Sequence, residues 1–146
     1  MIKPNQKAPD FTLPDQNGVS HSLSQYKGQW VLLYFYPEDD TPGCAKEACS
    51  FRDHLPSFDK LSVKVLGISD DSPQSHKKFE GKYGLNFTLL ADENREFIEK
   101  YGAGGVFTKR MSYLIDPEGN VRKVYPKVKP ETHADEVLAD LSTALL

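Results

Sequence analysis

Residues 34–51 read YFYPEDDTPGCAKEACSF, and everything else in the chain is best understood outward from them. The stretch begins inside WVLLYFY (30–36), a continuous apolar and aromatic run that suits a strand buried on both faces in the middle of a mixed or parallel sheet. Four residues after Pro37, Thr41 supplies a competent N-cap and Pro42 is favoured at the first helical position. A helix from about Pro42 to His54 is expected, with Gly43 second and Cys44 third in its first turn. A buried strand that feeds directly into a helix is the signature of an α/β fold, and such folds place their sites at the carboxyl ends of strands.

Strand and helix patterns alternate through the rest of the sequence. DFTLPDQNGVSHSL (10–23) reads as two short strands around a turn, Asn17-Gly18 supplying the positive φ of a tight hairpin. Further strands are expected at 63–69, 87–90, 111–116 and 120–125, the last two joined by the turn DPEGN. A second helix is capped by Ser72-Pro73 and ends near Gly84; a third, NREFIEKYG, stops at Gly102. The last begins near Thr132 and carries Val137, Leu138, Leu141 and Leu145 on one face. The expected architecture is an α/β sandwich, a central mixed sheet flanked by helices with an N-terminal β-hairpin, and it resembles the thioredoxin layout.

Composition narrows the function classes. The 146 residues suit one domain over 1–146, with 38% hydrophobic and 27% charged residues, as in ordinary globular proteins. A net charge of -3 gives no reason to expect a nucleic-acid or anionic-membrane surface. No apolar run approaches a membrane span, and MIKPNQKAPDF lacks the apolar core of a signal peptide. Two cysteines are too few for a secreted disulfide framework, so a cytoplasmic, reducing location is expected.

Those two cysteines, Cys44 and Cys49, are where chemistry is expected. A thiol in the first turn of a helix sits among unpaired N–H groups at the positive end of the dipole, which favours the nucleophilic thiolate. Residues five apart in a helix have Cα atoms roughly 8–9 Å apart. A disulfide needs about 4.4–6.8 Å, so the pair cannot be bridged while the helix is intact. Either Cys49 is structural or the helix unwinds locally once Cys44 is oxidised. Cys44, Cys49 and His54 also form C-x4-C-x4-H, but this spacing is loose for zinc and no fourth ligand is near. His21, His76 and His133 lie in polar surroundings at turns or helix starts and read as solvated.

The pattern P-x-x-x-T-x-x-C, filled by Pro37, Thr41 and Cys44 and extended by Glu47, resembles the active-site signature of peroxiredoxins. TPGCAKEACSFRD, with PDFTLPDQNG, VLGISDDSP, NFTLLAD and YLIDPEGNV, is similar to the bacterioferritin comigratory protein and peroxiredoxin Q subfamily over nearly the whole chain. That resemblance implies a thiol peroxidase without cofactor or metal. Cys44 is then peroxidatic and Cys49 resolving, and an external thioredoxin-like dithiol recycles the disulfide. It also implies a monomer, and an arginine near the sulfur, for which Arg110 is the match. Arg110 would hold the thiolate and the charge moving along the O–O bond, and Thr41 would bond thiolate or peroxide. Pro37 and Gly43 would shape the pocket, and Glu47 would orient Arg110. A thiol–disulfide oxidoreductase would share the fold but normally uses C-x-x-C, which is absent. A non-enzymatic binding module would have no need of Thr41, Cys44 and Arg110 together.

Overall fold

β3 (Trp30–Phe35) lies at the centre of a five-stranded sheet, and every one of its residues is buried. In this computed structural model, which describes residues 1–144, the strand order is β5-β4-β3-β6-β7. β4 (Val63–Ser69) runs parallel to β3 in the register Leu32↔Val65, and β5 (Thr88–Ala91) runs parallel to β4. β6 (Met111–Ile115) pairs antiparallel with β3 through Leu33↔Tyr113, and β7 (Val121–Tyr125) closes the antiparallel side. The sheet is therefore mixed, as the two-sided burial of WVLLYFY requires.

Alternation along β3 builds two cores. Trp30, Leu32 and Tyr34, with Tyr36 beyond the strand, face one side; Val31, Leu33 and Phe35 face the other. The first side is covered by α1 (Pro42–Lys60), α2 (Pro73–Tyr83) and α4 (His133–Ala144), through Ala48, Phe51, Phe58, Phe79, Val137 and Leu141. The second is covered by α3 (Glu96–Lys100), a 3-10 turn at Leu23–Tyr26 and the hairpin of β1 (Thr12–Pro14) and β2 (Ser20–Ser22). Leu145, placed by sequence on the apolar face of the last helix, lies outside the described residues. Among the described residues, no helix is long and apolar enough to cross a membrane.

Three local details depart from the sequence reading. In the hairpin turn only Gly18 takes positive φ, at 78°, and Asn17 does not. Asp15 N–H bonds Val19 O and Gly18 N–H bonds Asp15 O, so the loop has three residues with its glycine last, a common hairpin alternative. The 3-10 turn is short and carries no helical period, so it was not anticipated. α1 does not stop at His54 but continues through Pro56 to Lys60. A helix-interior proline strips Arg52 of its N–H partner. Asn86 Nδ2 replaces that partner, donating to Arg52 O at 3.3 Å, while fully buried Phe51 and Phe58 hold the helix on both sides of the break.

The edge of β5 is also satisfied from outside the sheet. Gln16 Nε2 donates to Phe87 O and Gln16 Oε1 accepts from Leu89 N–H, both at 3.0 Å. A side-chain amide thus does what a neighbouring strand's peptide would do.

Candidate active site

The chain leaves β3 at Phe35, turns through residues 36–41 and enters α1 with Thr41 as N-cap, Pro42 first and Cys44 third. Thr41 has extended backbone, at φ -84° and ψ 155°, as an N-cap requires, but its side chain does not cap. Its hydroxyl donates to Glu38 O at 3.0 Å. A hydroxyl has one proton, so Thr41 Oγ1 faces the remaining surroundings as an acceptor. The first-turn N–H groups keep no side-chain cap, and the partial positive charge of the helix end is left uncompensated there.

Cys44 is 2% exposed and free, packed into the helix-side core with Tyr34, Ala45 and Ala48. Arg110, immediately before β6, reaches back over it. Its Nη2 lies 3.4 Å from Cys44 Sγ and its Nη1 2.8 Å from Glu47 Oε1. One guanidinium therefore bridges the sulfur and a carboxylate one helical turn further along. The fixed, planar fork of arginine sets both contacts from one rigid group, a geometry that the point charge of a lysine ammonium on its flexible stem does not supply. Burial works against the charge of Arg110, yet Cys44 and Glu47 outweigh it and raise its pKa.

Gly43 is explained by this crossing. A Cβ there would lie 3.0 Å from Arg110 Nη2 and 3.7 Å from Pro130 Cγ, so a side chain would push the guanidinium off the sulfur. Glu47, only 1% exposed, has its pKa raised to about 7 because burial disfavours its charge more than Arg110 favours it. Its second oxygen, Oε2, is buried without a hydrogen-bond partner. Pro37 is half-buried at the start of the turn.

Cys49 is free and half-buried on the same helix. Five residues of α-helix turn the chain by roughly 500°, so the two thiols point about 140° apart. Both lie inside the continuous span Pro42–Lys60, which keeps them beyond disulfide reach in this conformation. His54, the third member of the loose C-x4-C-x4-H pattern, turns elsewhere. Its Nδ1 donates to Ser50 O at 2.7 Å and its Nε2 pairs with Asp135 at 2.8 Å.

Two expectations about histidines are corrected. His76 and His133 are not solvated: both are buried, at 0% and 1% exposure, in polar networks with Asp39 and with Glu136 and Ser112. His21 is partly buried between Asp15 and Tyr26. Most partners of His76 and His133 lie elsewhere in the chain, at Asp39 and Leu90 for His76 and at Ser112 for His133, so the polar residues beside them in sequence concealed the burial. Tyr34 was also missed as a neighbour of the site. Burial, then the nearby charges of Glu47 and Cys44, drive its pKa upward, and its hydroxyl is buried without a partner. The available signal was a tyrosine in a strand whose other inward positions are apolar.

Comparison with known proteins gives a consistent answer. The sequence pattern of the AhpC/TSA family matches residues 4–124. The peroxiredoxin bcp protein of Coxiella burnetii is 48% identical over 96% of this chain and 99% of its own. Chloroplastic peroxiredoxin Q of Populus jackii is 45% identical over 94% of this chain, which spans 67% of that longer protein. Among solved structures, a cysteine mutant of Xylella fastidiosa PrxQ superposes with a TM-score of 0.95 at 29% identity, covering 100% of this chain and 99% of that one. The bacterioferritin comigratory protein of Xanthomonas campestris superposes at 0.89 with 35% identity, over 93% of this chain and 92% of its own. That protein was solved as trapped intermediate and ligand complexes bearing on its alkyl peroxide reduction.

Proposed function

The chain belongs to the AhpC/TSA family, in its bacterioferritin comigratory and peroxiredoxin Q branch, and from that premise we propose how its residues divide the work of a thiol-dependent peroxidase. The enzyme reduces hydroperoxides at the expense of a thioredoxin-like dithiol; alkyl peroxide reduction is the activity named for its Xanthomonas campestris relative. The observation that carries the assignment of roles is the Arg110 guanidinium, set between Cys44 Sγ and Glu47 Oε1 over the first turn of α1.

Cys44 thiolate attacks the distal oxygen of the hydroperoxide. An S–O bond forms, the O–O bond breaks, and the sulfur becomes a sulfenic acid. The departing alkoxide or hydroxide takes up a proton and leaves as alcohol or water. Arg110 and the uncapped first-turn N–H groups stabilise the charge as it passes along the O–O bond. Thr41 Oγ1, its own proton engaged by Glu38 O, accepts the hydrogen of the incoming hydroperoxide. Pro37 and Gly43 shape the approach, and Glu47 fixes the guanidinium. Cys49 thiol then condenses with the sulfenic acid, releasing water and forming a Cys44–Cys49 disulfide. An external dithiol reduces this bond by exchange and is itself oxidised.

We further read residues 1–146 as one catalytic domain, since the sheet draws its strands from residues 30–125 and α4 covers the same core. A monomer in a reducing, cytoplasmic compartment fits a cycle that closes within one chain. A net charge of -3 supplies no electrostatic reason for nucleic acid or anionic membrane to bind. Peroxide consumption coupled to a thioredoxin system tests the central assignment. Cys44→Ser abolishes turnover with every dithiol tried, and retention of more than trace activity would overturn the role of Cys44.

A further inference from the structure

The turn that delivers Cys44 is held by a buried polar cluster that none of the roles above employs. Asp39 Oδ1 accepts from Tyr36 OH at 2.7 Å. Its Oδ2 accepts from Ser75 Oγ at 2.8 Å and from His76 Nδ1 at 2.7 Å. On the other side, Asp39 N–H donates to Asp71 Oδ2 at 2.9 Å, and Ser69 Oγ donates to that same oxygen at 2.6 Å. Residue 39 is thus gripped through its backbone and its side chain at once. Four of the gripping residues, Ser69, Asp71, Ser75 and His76, belong to the end of β4, the loop after it and α2.

His76 is the unusual member. It has no exposed surface, and its Nε2 lies 2.9 Å from Leu90 O. A backbone carbonyl can only accept, so Nε2 carries a proton, and at 2.7 Å a second proton lies between Nδ1 and Asp39 Oδ2, with Tyr36 OH 3.4 Å from the same nitrogen. His133 shows the alternative: its Nε2 faces Ser112 Oγ, a hydroxyl that can donate to a bare ring nitrogen. Ligand atoms of Asp39, Asp71 and His76 lie within 4.8 Å of one another, but with Nδ1 bonded to Asp39 and Nε2 to Leu90 O the ring has no free nitrogen to offer a cation. A buried polar ring is costly without partners, so His76 and Asp39 hold each other in place.

The next residue, Asp40, takes φ +60°, a left-handed conformation uncommon outside glycine. Its carboxylate is tied to Lys82 Nζ and Tyr83 OH, both at 2.6 Å and both from α2. Thr41 follows directly as the N-cap of α1. Two successive residues are thereby pinned by α2 just ahead of the catalytic turn, across a strained bend.

We propose that His76 is a positioning residue: its ring clamps Asp39 and so fixes the bend that sets Thr41 and Cys44 under Arg110. It touches no reacting atom. The clamp rests on the catalytic reading above and adds to it a return address, because Asp39 and Asp40 stay anchored to α2 when the first turn of α1 opens and must close again.

Two nearly isosteric variants separate this from simple support of the fold. In His76→Asn the amide nitrogen falls near the Nδ1 position and keeps a donor for Asp39. In His76→Gln it falls near Nε2, keeping Leu90 O and abandoning Asp39. Quenched-flow oxidation of the reduced proteins by hydrogen peroxide, followed through loss of the free Cys44 thiol, is the readout, with melting temperature measured alongside. His76→Gln slows Cys44 oxidation by on the order of tenfold or more, as expected for a displaced catalytic turn, while His76→Asn stays within about threefold of wild type. Equal losses in both variants, no loss in either, or a greater loss in His76→Asn would overturn the proposal. If neither variant folds, proton NMR of the wild-type protein decides. Both ring N–H signals of His76 are expected, and a single one would overturn the clamp. Failure of the wild type to react with peroxide would instead sink the peroxidase roles and leave the NMR result standing.

Discussion

Glu47 has one oxygen on Arg110, the other without a partner, and almost no contact with solvent. With its pKa raised from 4.5 to about 7, the folded protein holds a proton between those values that the unfolded chain has already released. Its contribution to stability therefore falls as pH rises through that window and is level above it. Relative to Glu47→Gln, wild type loses roughly 3 kcal/mol between the two ends of the window, measured by urea unfolding at several pH values. A flat difference between the two proteins would mean that Glu47 is ionised throughout. Arg110 is the second residue whose replacement is informative. Arg110→Ala slows Cys44 oxidation by about 10²–10³, the usual cost of removing a preorganised donor. Arg110→Lys recovers only part of this, since an ammonium keeps the charge but lacks the planar fork that sets both contacts. Unchanged oxidation kinetics in Arg110→Ala would remove it from the site. Cys44 was legible because helix-start chemistry is local, whereas Glu47 and Arg110 were reached through the resemblance to peroxiredoxins, Arg110 lying 66 positions from the sulfur it contacts. His76 and Tyr34 were not legible: the partners of the His76 ring are Asp39 and the carbonyl of Leu90, thirty-seven and fourteen positions away, outside α2.

At the level of the element, α1 joins a half that the proposed Cys44–Cys49 disulfide requires to move to a half that is held in place. Residues 42–50 carry both cysteines, and Gly43 weakens their helix by about 1 kcal/mol relative to alanine. From Phe51 onward the helix is fixed by rings: Phe51 packs on Tyr34 at 4.7 Å, on Phe58 at 5.8 Å and on His133 at 6.0 Å between centroids. Disulfide formation therefore unwinds the first two turns and stops near Phe51. Amide hydrogen exchange on the two redox forms checks this, with protection lost over 42–50 on oxidation and kept over 51–60. Equal protection of 42–50 in both forms, or no Cys44–Cys49 bond after peroxide treatment, would assign Cys49 a structural role. The sequence reading placed the start of α1 correctly and its end six residues early. Start signals are side chains in the helix itself, whereas the override of Pro56 depends on Asn86, which reaches Arg52 O from the loop after α2.

Across the whole molecule, α4 is locked onto the sheet by His133, whose Nδ1 donates to Glu136 and whose Nε2 meets Ser112 of β6. Burial lowers the pKa of His133, so below about pH 6.5 the unfolded chain takes up a proton that the folded protein resists. Stability from this group falls on acidification, opposite in sense to that from Glu47. Relative to His133→Gln, wild type loses unfolding free energy between pH 6.5 and 5, and a flat difference between the two proteins would show that His133 does not contribute. Strand existence was readable from composition along the chain, but strand order was not. The antiparallel placement of β6 beside β3 depends on registers such as Leu33↔Tyr113 that no single segment encodes. The amide of Gln16, lying along β5, has a further consequence. An unpaired strand edge is a template for pairing with other chains. Gln16 occupies the two groups, Phe87 O and Leu89 N–H, that a foreign strand would seize first. It therefore acts as a guard against co-aggregation. Gln16→Ala samples, with undiminished peroxide turnover when fresh, develop concentration-dependent light scattering on mild heating while wild type stays clear.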